Sequence, residues 1–531
     1  MTRRRSRAAL HDAVTVCPES PRNAASSAVG TAPALVWIVP ARRTTKARLG
    51  DDGAIVKTGF RFTSLAVVSL IACVNGRSTD ARADEPSPAA PSVAPPPVIA
   101  DAPSPAPAPV EKAEEPFAFG DFTWLNGANR QKKAVLDSEY FTGSFLFDAN
   151  YTVSNHRPID HTVVGSTALS RDNEFTLAFI GFGGDFHYKG ARARLMTQFG
   201  NRSTVVPRND PSINRGQFNL DTALRYISEA NAGHHWDVWN GINLDIGIFM
   251  SYVGLFSYDN FENWAYQPSF TSDNTPWFFN GARLQMFTSD RVKVELWLIN
   301  GWQTYGRLNE MPGFGTQILY RPREWVSLLT NDYVGWDTAN HPGRARYHSD
   351  NSALLRYFNN PGGPVSKGAV SFTFDVGFEN GDGVVPFGGS GTEGHCTLAT
   401  PCAQSFVSGM AYHRLWFDDD HFGWTFGGGL IHNPGRYLTL VPTGVAGQIY
   451  DTAPGTSFDG WDASTTVDWM PDPFQTWRLE VVHREASVPY FAGRGGVTSP
   501  DGYVTTAIPP GWKPDQVKGE TRLIAALLAR F

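Results

Sequence analysis

The chain has 531 residues, 52 of them glycine, with 13% aromatic and 18% charged residues and a formal net charge of -6. Average soluble proteins carry about 25% charged residues, so the composition is poor in charge for a soluble enzyme, and the negative balance excludes the basic footprint of a nucleic-acid partner. Mean hydropathy is -0.27, and past the N-terminal region no apolar run reaches the about 18 residues of a membrane helix, which points away from helical membrane proteins and toward a sheet alternating between lipid and water.

Residues 1–55 are Arg- and Ala-rich without periodicity and are expected to be a non-native extension. Lys57 and Arg61 then precede an apolar stretch over 62–74, followed by Ala81-Arg82-Ala83. A charged part, an apolar part and a small-x-small site in that order predict a signal peptide over 56–83. Translation is then expected to start near Val56 and the mature chain at Asp84. Leu70-Ile71-Ala72-Cys73 leaves lipidation of Cys73 as the alternative to cleavage after Ala83. Residues 84–112 are Pro- and Ala-rich, which favours extended chain without a core, and are expected to be a periplasmic linker. A pre-barrel segment follows over 113–139.

From 140 to 531 the chain becomes a run of period-two segments. Phe372, Phe374, Val376 and Phe378 alternate with Ser371, Thr373, Asp375 and Gly377; Trp461, Ala463, Thr465, Val467 and Trp469 alternate with Asp462, Ser464, Thr466 and Asp468. Such alternation puts every second side chain on one face of a sheet. Sixteen strands are predicted, over 140–153, 174–188, 191–200, 216–228, 234–251, 277–287, 291–301, 313–321, 324–334, 344–357, 367–380, 405–417, 421–431, 460–470, 476–485 and 519–531. Their length suits tilted membrane strands of about 9–11 residues. Short connections, such as Lys189-Gly190 and Asn231-Ala232-Gly233, alternate with long ones, such as 252–276 and 486–518. Short periplasmic turns and long external loops predict an all-β fold: a transmembrane antiparallel up-and-down β-barrel preceded by a disordered N-terminal region. The second strand changes phase between Phe179 and Phe182, and a bulge is expected across 181–184. The last strand places Leu523, Ala525, Leu527, Ala529 and the terminal Phe531 on one face. An in-phase terminal Phe531 is expected to be the signal read by the barrel-assembly machinery.

The motifs GFGGDFHY (181–188), RARLMTQFG (192–200), FSYDNFENWAYQPS (256–269), NTPWFFNG (274–281), WLINGWQ (297–303) and DFTWLNG (121–127) resemble the OmpL-like β-barrel porin family of bacterial outer membranes. The resemblance covers 118–531 and is densest up to 303; the loop with Cys396 and Cys402 and the loops 432–459 and 486–518 show none of it. It implies an outer-membrane, porin-like role and no particular substrate.

Chemistry-bearing motifs are few. Gly389 to Gly394 spells G-x-G-x-x-G without the strand–helix context of a dinucleotide site. No G-x-S-x-G occurs. Asp418-Asp419-Asp420-His421 and His234-His235 read as solvated turns. A membrane-embedded hydrolase of the phospholipase kind lacks any group that positions a serine. No catalytic residue, cofactor or metal ligand is assigned. Cys396 and Cys402, close together in a Gly-rich stretch, are expected to form a loop disulfide in an oxidising compartment, a metal site lacking further ligands beyond His395.

Sixteen strands enclose a lumen wide enough for water. With the apolar face toward lipid, the pore-lining candidates are Arg192, Arg194, Arg225 and Arg283 on strands three, four and six, and Asp148, Asp375, Asp462 and Asp468 on strands one, eleven and fourteen. These opposed arcs imply either a transverse field or an ordinary paired-charge lining. The loop 252–276 carries Asp259, Glu262, Trp264 and Tyr266, candidates for an inward-folded constriction, with rim packing of its Trp and Tyr at the membrane interface as the alternative. The expected function is passive diffusion of small polar solutes or ions. The alternatives are a closed structural or adhesive barrel and a soluble Trp-rich carbohydrate binder. The expected partners are the lipid bilayer, the assembly machinery, small solutes and a homotrimer.

Overall fold

The computed structural model describes residues 115–127, 130–207, 210–213, 215–385, 402–435, 437–438 and 457–531. In chain order the strands are β1 (Phe141–Ser154), β2 (Phe175–Tyr188), β3 (Ala191–Thr197), β4 (Ile227–Trp236), β5 (Ile242–Met250), β6 (Phe278–Ser289), β7 (Val292–Ile299), β8 (Gly313–Arg323) and β9 (Val326–Gly335). They continue with β10 (Ala345–Asn359), β11 (Val365–Asn380), β12 (Ser405–Phe417), β13 (Phe422–Asn433), β14 (Phe458–Asp472), β15 (Gln475–Ala486), β16 (Phe491–Ala492), β17 (Gln516–Val517) and β18 (Gly519–Arg530). All except β16 and β17 form one closed antiparallel barrel of sixteen strands, in which β18 returns to pair with β1. Closure removes the free sheet edges at which strands aggregate. The β16–β17 pair is a small hairpin inside the last long loop.

Burial is inverted relative to a soluble protein. On β11 and β14, Phe372, Phe374, Val467 and Trp469 are about half exposed, while Thr373, Asp375, Thr466 and Asp468 are buried. An apolar outside suits hydrocarbon, and a polar inside suits water or an internal plug. The main cluster of buried apolar side chains lies within the lumen and joins Trp124, Phe256, Tyr258, Phe261, Trp264, Tyr266 and Trp277 to wall residues such as Leu146, Met410 and Ile524.

Three expectations of local structure need correction. The predicted strand 216–228 and turn 231–233 are displaced. The chain instead forms a short helical turn, Leu220–Leu224, before β4, and the turn falls at 237–241, where Trp239 and Gly241 have positive φ. Gly233 serves close packing: a Cβ there would lie 1.9 Å from the Leu244 carbonyl oxygen. The third strand ends at Thr197. The bulge in β2 sits at Ala178, where Asp148 pairs with Phe179 and the next residue, Ala149, with Leu177. It turns Phe179 inward, against Tyr258, and leaves 181–184 in regular register.

Candidate functional site in the lumen

Between β5 and β6 the chain does not stay outside; residues 251–277 fold into the barrel. Tyr252, Phe256, Tyr258, Phe261, Trp264, Tyr266, Phe270 and Trp277 are all buried. A water-exposed loop would leave that apolar area hydrated, at roughly 1.5–3 kcal/mol for each large side chain. Folding inward removes it from water, but the loop backbone must then find partners inside.

The wall supplies them. Glu480 accepts hydrogen bonds from the backbone N–H groups of Tyr266 (2.6 Å) and Gln267 (2.9 Å). Asp462 accepts from Ser269 Oγ (2.8 Å) and the Phe270 N–H (2.9 Å). Asp148 accepts from the Tyr266 hydroxyl (2.6 Å) and Asn260 Nδ2 (2.9 Å). Arg478 donates to the carbonyl oxygens of Asn260 (3.2 Å) and Asn263 (2.9 Å), and Asp468 bridges Arg478 (2.6 Å) and Arg414 (2.7 Å). Within the loop, Asp273 receives Arg484 at 2.9 Å and the Thr167 hydroxyl at 2.7 Å. Hydrogen bonds to charged groups contribute about 1.5–3 kcal/mol each, enough together to hold the loop against the β12–β18 side and β1.

The opposite wall carries charge that the loop leaves partly open. Arg192 (34% exposed) and Arg283 share Asp245, at 3.2 and 2.8 Å. Arg194 bridges Asp185 (2.6 Å) and Glu229, and Lys293 meets Glu295 at 2.8 Å. Four cations thus face four carboxylates. Asp259, at the edge of the inward loop, interacts electrostatically with Arg194 and Glu229. Burial, followed by repulsion from Glu262 and Glu229, pushes its carboxyl up to about 7. Glu262 pairs with Arg530 at 2.7 Å.

Residues 115–127, 130 and 131 lie across the mouth at the short-turn end. The Phe117 N–H donates to the Asp290 carbonyl (2.8 Å), Trp124 Nε1 to Glu324 O (2.9 Å), Arg130 Nη2 to Met470 O (2.6 Å) and Gln131 Nε2 to Arg530 O (2.9 Å). Arg321 lies 4.7 Å from both the Phe117 and Phe122 rings, and Arg291 lies 4.8 Å from Phe119. Gly127 meets the inward loop: its N–H donates to Glu262 O at 3.0 Å, and its carbonyl accepts from Arg414.

The sequence-derived candidates therefore separate. Arg192, Arg194 and Arg283 stand on the open side. Asp148, Asp462 and Asp468 lie beneath the loop, and Asp375 pairs with His348 at 2.7 Å. Arg225 is not on a strand: it caps the helical turn Leu220–Leu224 and pairs with Asp221. Asp259, Glu262, Trp264 and Tyr266 all lie in the inward loop. Glu229 and Asp245, the carboxylates that neutralise the arginines, went unnoticed because the displaced fourth strand obscured their inward phase. Cys402 is disulfide-bonded, whereas Cys396 lies outside the described residues. Among the described residues no group of three or more His, Cys, Asp or Glu side chains suits a metal ion.

An apolar outside, a polar inside, short turns at one end and a loop folded into the lumen define an outer-membrane barrel of the porin type. Residues 140–508, more than half of the chain, match the family described as "Putative beta-barrel porin-2, OmpL-like", and the chain belongs to that family. It is accordingly a multi-pass protein of the bacterial outer membrane, with its short turns on the periplasmic side. No curated protein sequence matches it. Among solved structures it is similar to OprB of Pseudomonas putida, at 8% identity and a TM-score of 0.43, covering 74% of this chain and 94% of that one. The outer membrane channel DcaP of Acinetobacter baumannii is 11% identical, with a TM-score of 0.39 and coverage of 75% and 100%. An anion-selective porin from Comamonas acidovorans is 9% identical, with a TM-score of 0.42 and coverage of 74% and 99%.

Proposed function

We propose that the barrel is a passive diffusion channel for small polar solutes or ions and performs no catalytic step. The observation that supports this is the asymmetry of the lumen. The inward loop is bound to one side, and the facing wall keeps Asp185, Arg192 and Arg194 roughly a third to a half exposed. Charged groups held in partial contact with water inside a barrel suit a wet path. Reconstitution into planar bilayers tests it: stepwise conductance is expected, and its absence in folded protein would remove the channel.

The second reading, a closed structural or adhesive barrel, is favoured by residues 115–127, 130 and 131 across the periplasmic mouth. Conductance that appears only after deletion of 115–127 would select it. The surrounding partners in this proposal are the lipid bilayer, a homotrimer and the assembly machinery at Phe531. Processing to Asp84 belongs to it too, and N-terminal sequencing of the membrane-extracted protein reads that directly.

A further inference from the structure

The arginines at the periplasmic mouth break a rule that the rest of the barrel keeps. Elsewhere on the strands every lysine and arginine is salt-bridged to a carboxylate, from Arg192 with Asp245 to Arg522 with Glu520. Arg321 and Arg323, at the end of β8, are salt-bridged to nothing among the described residues.

Arg321 also stands directly across from another cation. Its N–H donates to the Arg291 carbonyl at 2.9 Å, next to the Val292–Tyr320 pair of β7 and β8. Both side chains turn inward onto the N-terminal segment, Arg291 to the Phe119 ring and Arg321 to the rings of Phe117 and Phe122. Like charges directly opposite each other on a sheet destabilise it, and the rings take away part of the water that would screen them.

The carboxylates nearby are committed elsewhere. Asp290 answers Arg291 alone, at 3.3 Å. Glu324 and Asp121 both turn to Arg356, at 2.9 and 3.7 Å. Glu115 is exposed and salt-bridged to nothing among the described residues, and no carboxylate acts on the charge of Arg321. Of the Arg321 side-chain nitrogens only Nε is shut away from solvent. Its two Nη nitrogens are open and carry no hydrogen bond.

We infer that Arg321, with Arg291 beside it, binds the oxyanionic group, phosphate or carboxylate, of a small solute at the periplasmic mouth. The inference names a solute class for the proposed channel and rests on that reading for the solute's passage. A guanidinium offers parallel N–H donors that match two oxygens of such a group. An anion between the two arginines turns a repulsive cross-strand pair into two attractive contacts, and Arg323 adds a further positive charge at the rim. A neutral solute leaves both charges unanswered.

The test titrates sodium phosphate and, separately, sodium acetate into the full-length protein in detergent, at constant ionic strength set with sodium chloride. Calorimetry and phosphorus NMR line widths read the binding, and the tighter probe names the group. Saturable binding is expected, with a rise in thermal stability. Arg321→Gln, checked for folding by heat-modifiable migration, should weaken it about tenfold or more; Arg321→Lys, which keeps the charge and loses the fork, should weaken it less. Saturable binding of neither probe, or wild-type binding in folded Arg321→Gln, would overturn the inference. So would binding that appears only after Glu115→Gln, because the chain's own carboxylate would then hold the site. Conductance in planar bilayers is read separately: a conducting channel without oxyanion binding sinks the site alone, and oxyanion binding without conductance sinks the channel alone.

Discussion

The Gly127 N–H and the Glu262 carbonyl, 3.0 Å apart, join the segment across the periplasmic mouth to the loop folded in from the opposite end. The two obstructions thus form one connected body, further tied by Arg414, which donates to both Gly127 O and Trp264 O. A Cβ added at Gly127 would lie 2.0 Å from the Asn263 carbonyl oxygen. Gly127→Val should therefore push the segment off the loop, and on the wall side it meets the Arg478 guanidinium, whose Nη2 lies 3.1 Å from that Cβ. Single-channel recording is expected to show a larger or noisier conductance than wild type, and identical traces would mean that the junction does not limit flow.

Glu480 offers a second handle on the same body. Its carboxylate holds two adjacent backbone N–H groups of the loop, Tyr266 and Gln267. Glu480→Ala leaves both donors buried and unanswered, at about 1–3 kcal/mol each. The loop should loosen while the barrel persists. Limited proteolysis is expected to cut within 251–277 in the variant and not in wild type, with heat-modifiable migration retained.

How much of this was visible in the amino-acid order depends on the distance over which each feature acts. Alternation is local, so the sixteen strands and the outward phase of Phe372 or Trp469 could be read directly. The aromatic run from Tyr252 to Trp277 fits an inward loop and rim packing at the membrane interface equally, since both take large rings out of water. A one-residue bulge at Ala178 could not be placed, since an extra residue anywhere between Leu177 and Phe182 leaves Phe182 outward, and only the side on which Phe179 falls tells the positions apart. Inward phase also says nothing of what covers a residue. Asp148, Asp462 and Asp468 look like pore acids until a loop up to some two hundred residues distant in sequence lands on them. Asn231-Ala232-Gly233 has turn composition, but Gly233 is needed for the close approach of β5.

On the open wall each arginine already has a carboxylate, so the lining is close to neutral and ion selectivity should be weak. Replacing Arg192 and Arg194 by glutamine frees Asp185, Glu229 and part of Asp245. The reversal potential in a salt gradient is expected to move toward cation preference. An unchanged potential would place the ion path elsewhere.

Asp259 should make that preference depend on pH. Its carboxyl is raised from an ordinary 3.8 to about 7, first by burial and then by Glu262 and Glu229, against the opposing pull of Arg530 and Arg202. The folded state therefore holds a proton that the unfolded chain has lost over that interval, and stability falls as pH rises from about 4 to 7. Above the upper value Asp259 is charged and adds an anion at the edge of the loop. Cation preference is expected to increase between pH 6 and pH 8 in wild type, and Asp259→Asn should keep the low-pH behaviour throughout.

Phe531 closes the ring of strands. Its backbone exchanges two hydrogen bonds of 2.9 Å with Phe145, and its ring stacks on Phe474 at 5.8 Å and lies 6.1 Å from Phe145. It is 43% exposed on the lipid side, in phase with Leu523. Two roles overlap at this residue: fastening β1 to β18, and presenting an aromatic terminus to the assembly machinery. They part in refolding experiments. Phe531→Ala retains both backbone bonds, so refolding into detergent micelles should proceed with little loss, whereas insertion into the outer membrane of cells should fall several-fold, measured as the heat-modifiable fraction in the membrane. Equal losses in micelles and in cells would assign Phe531 to fastening alone.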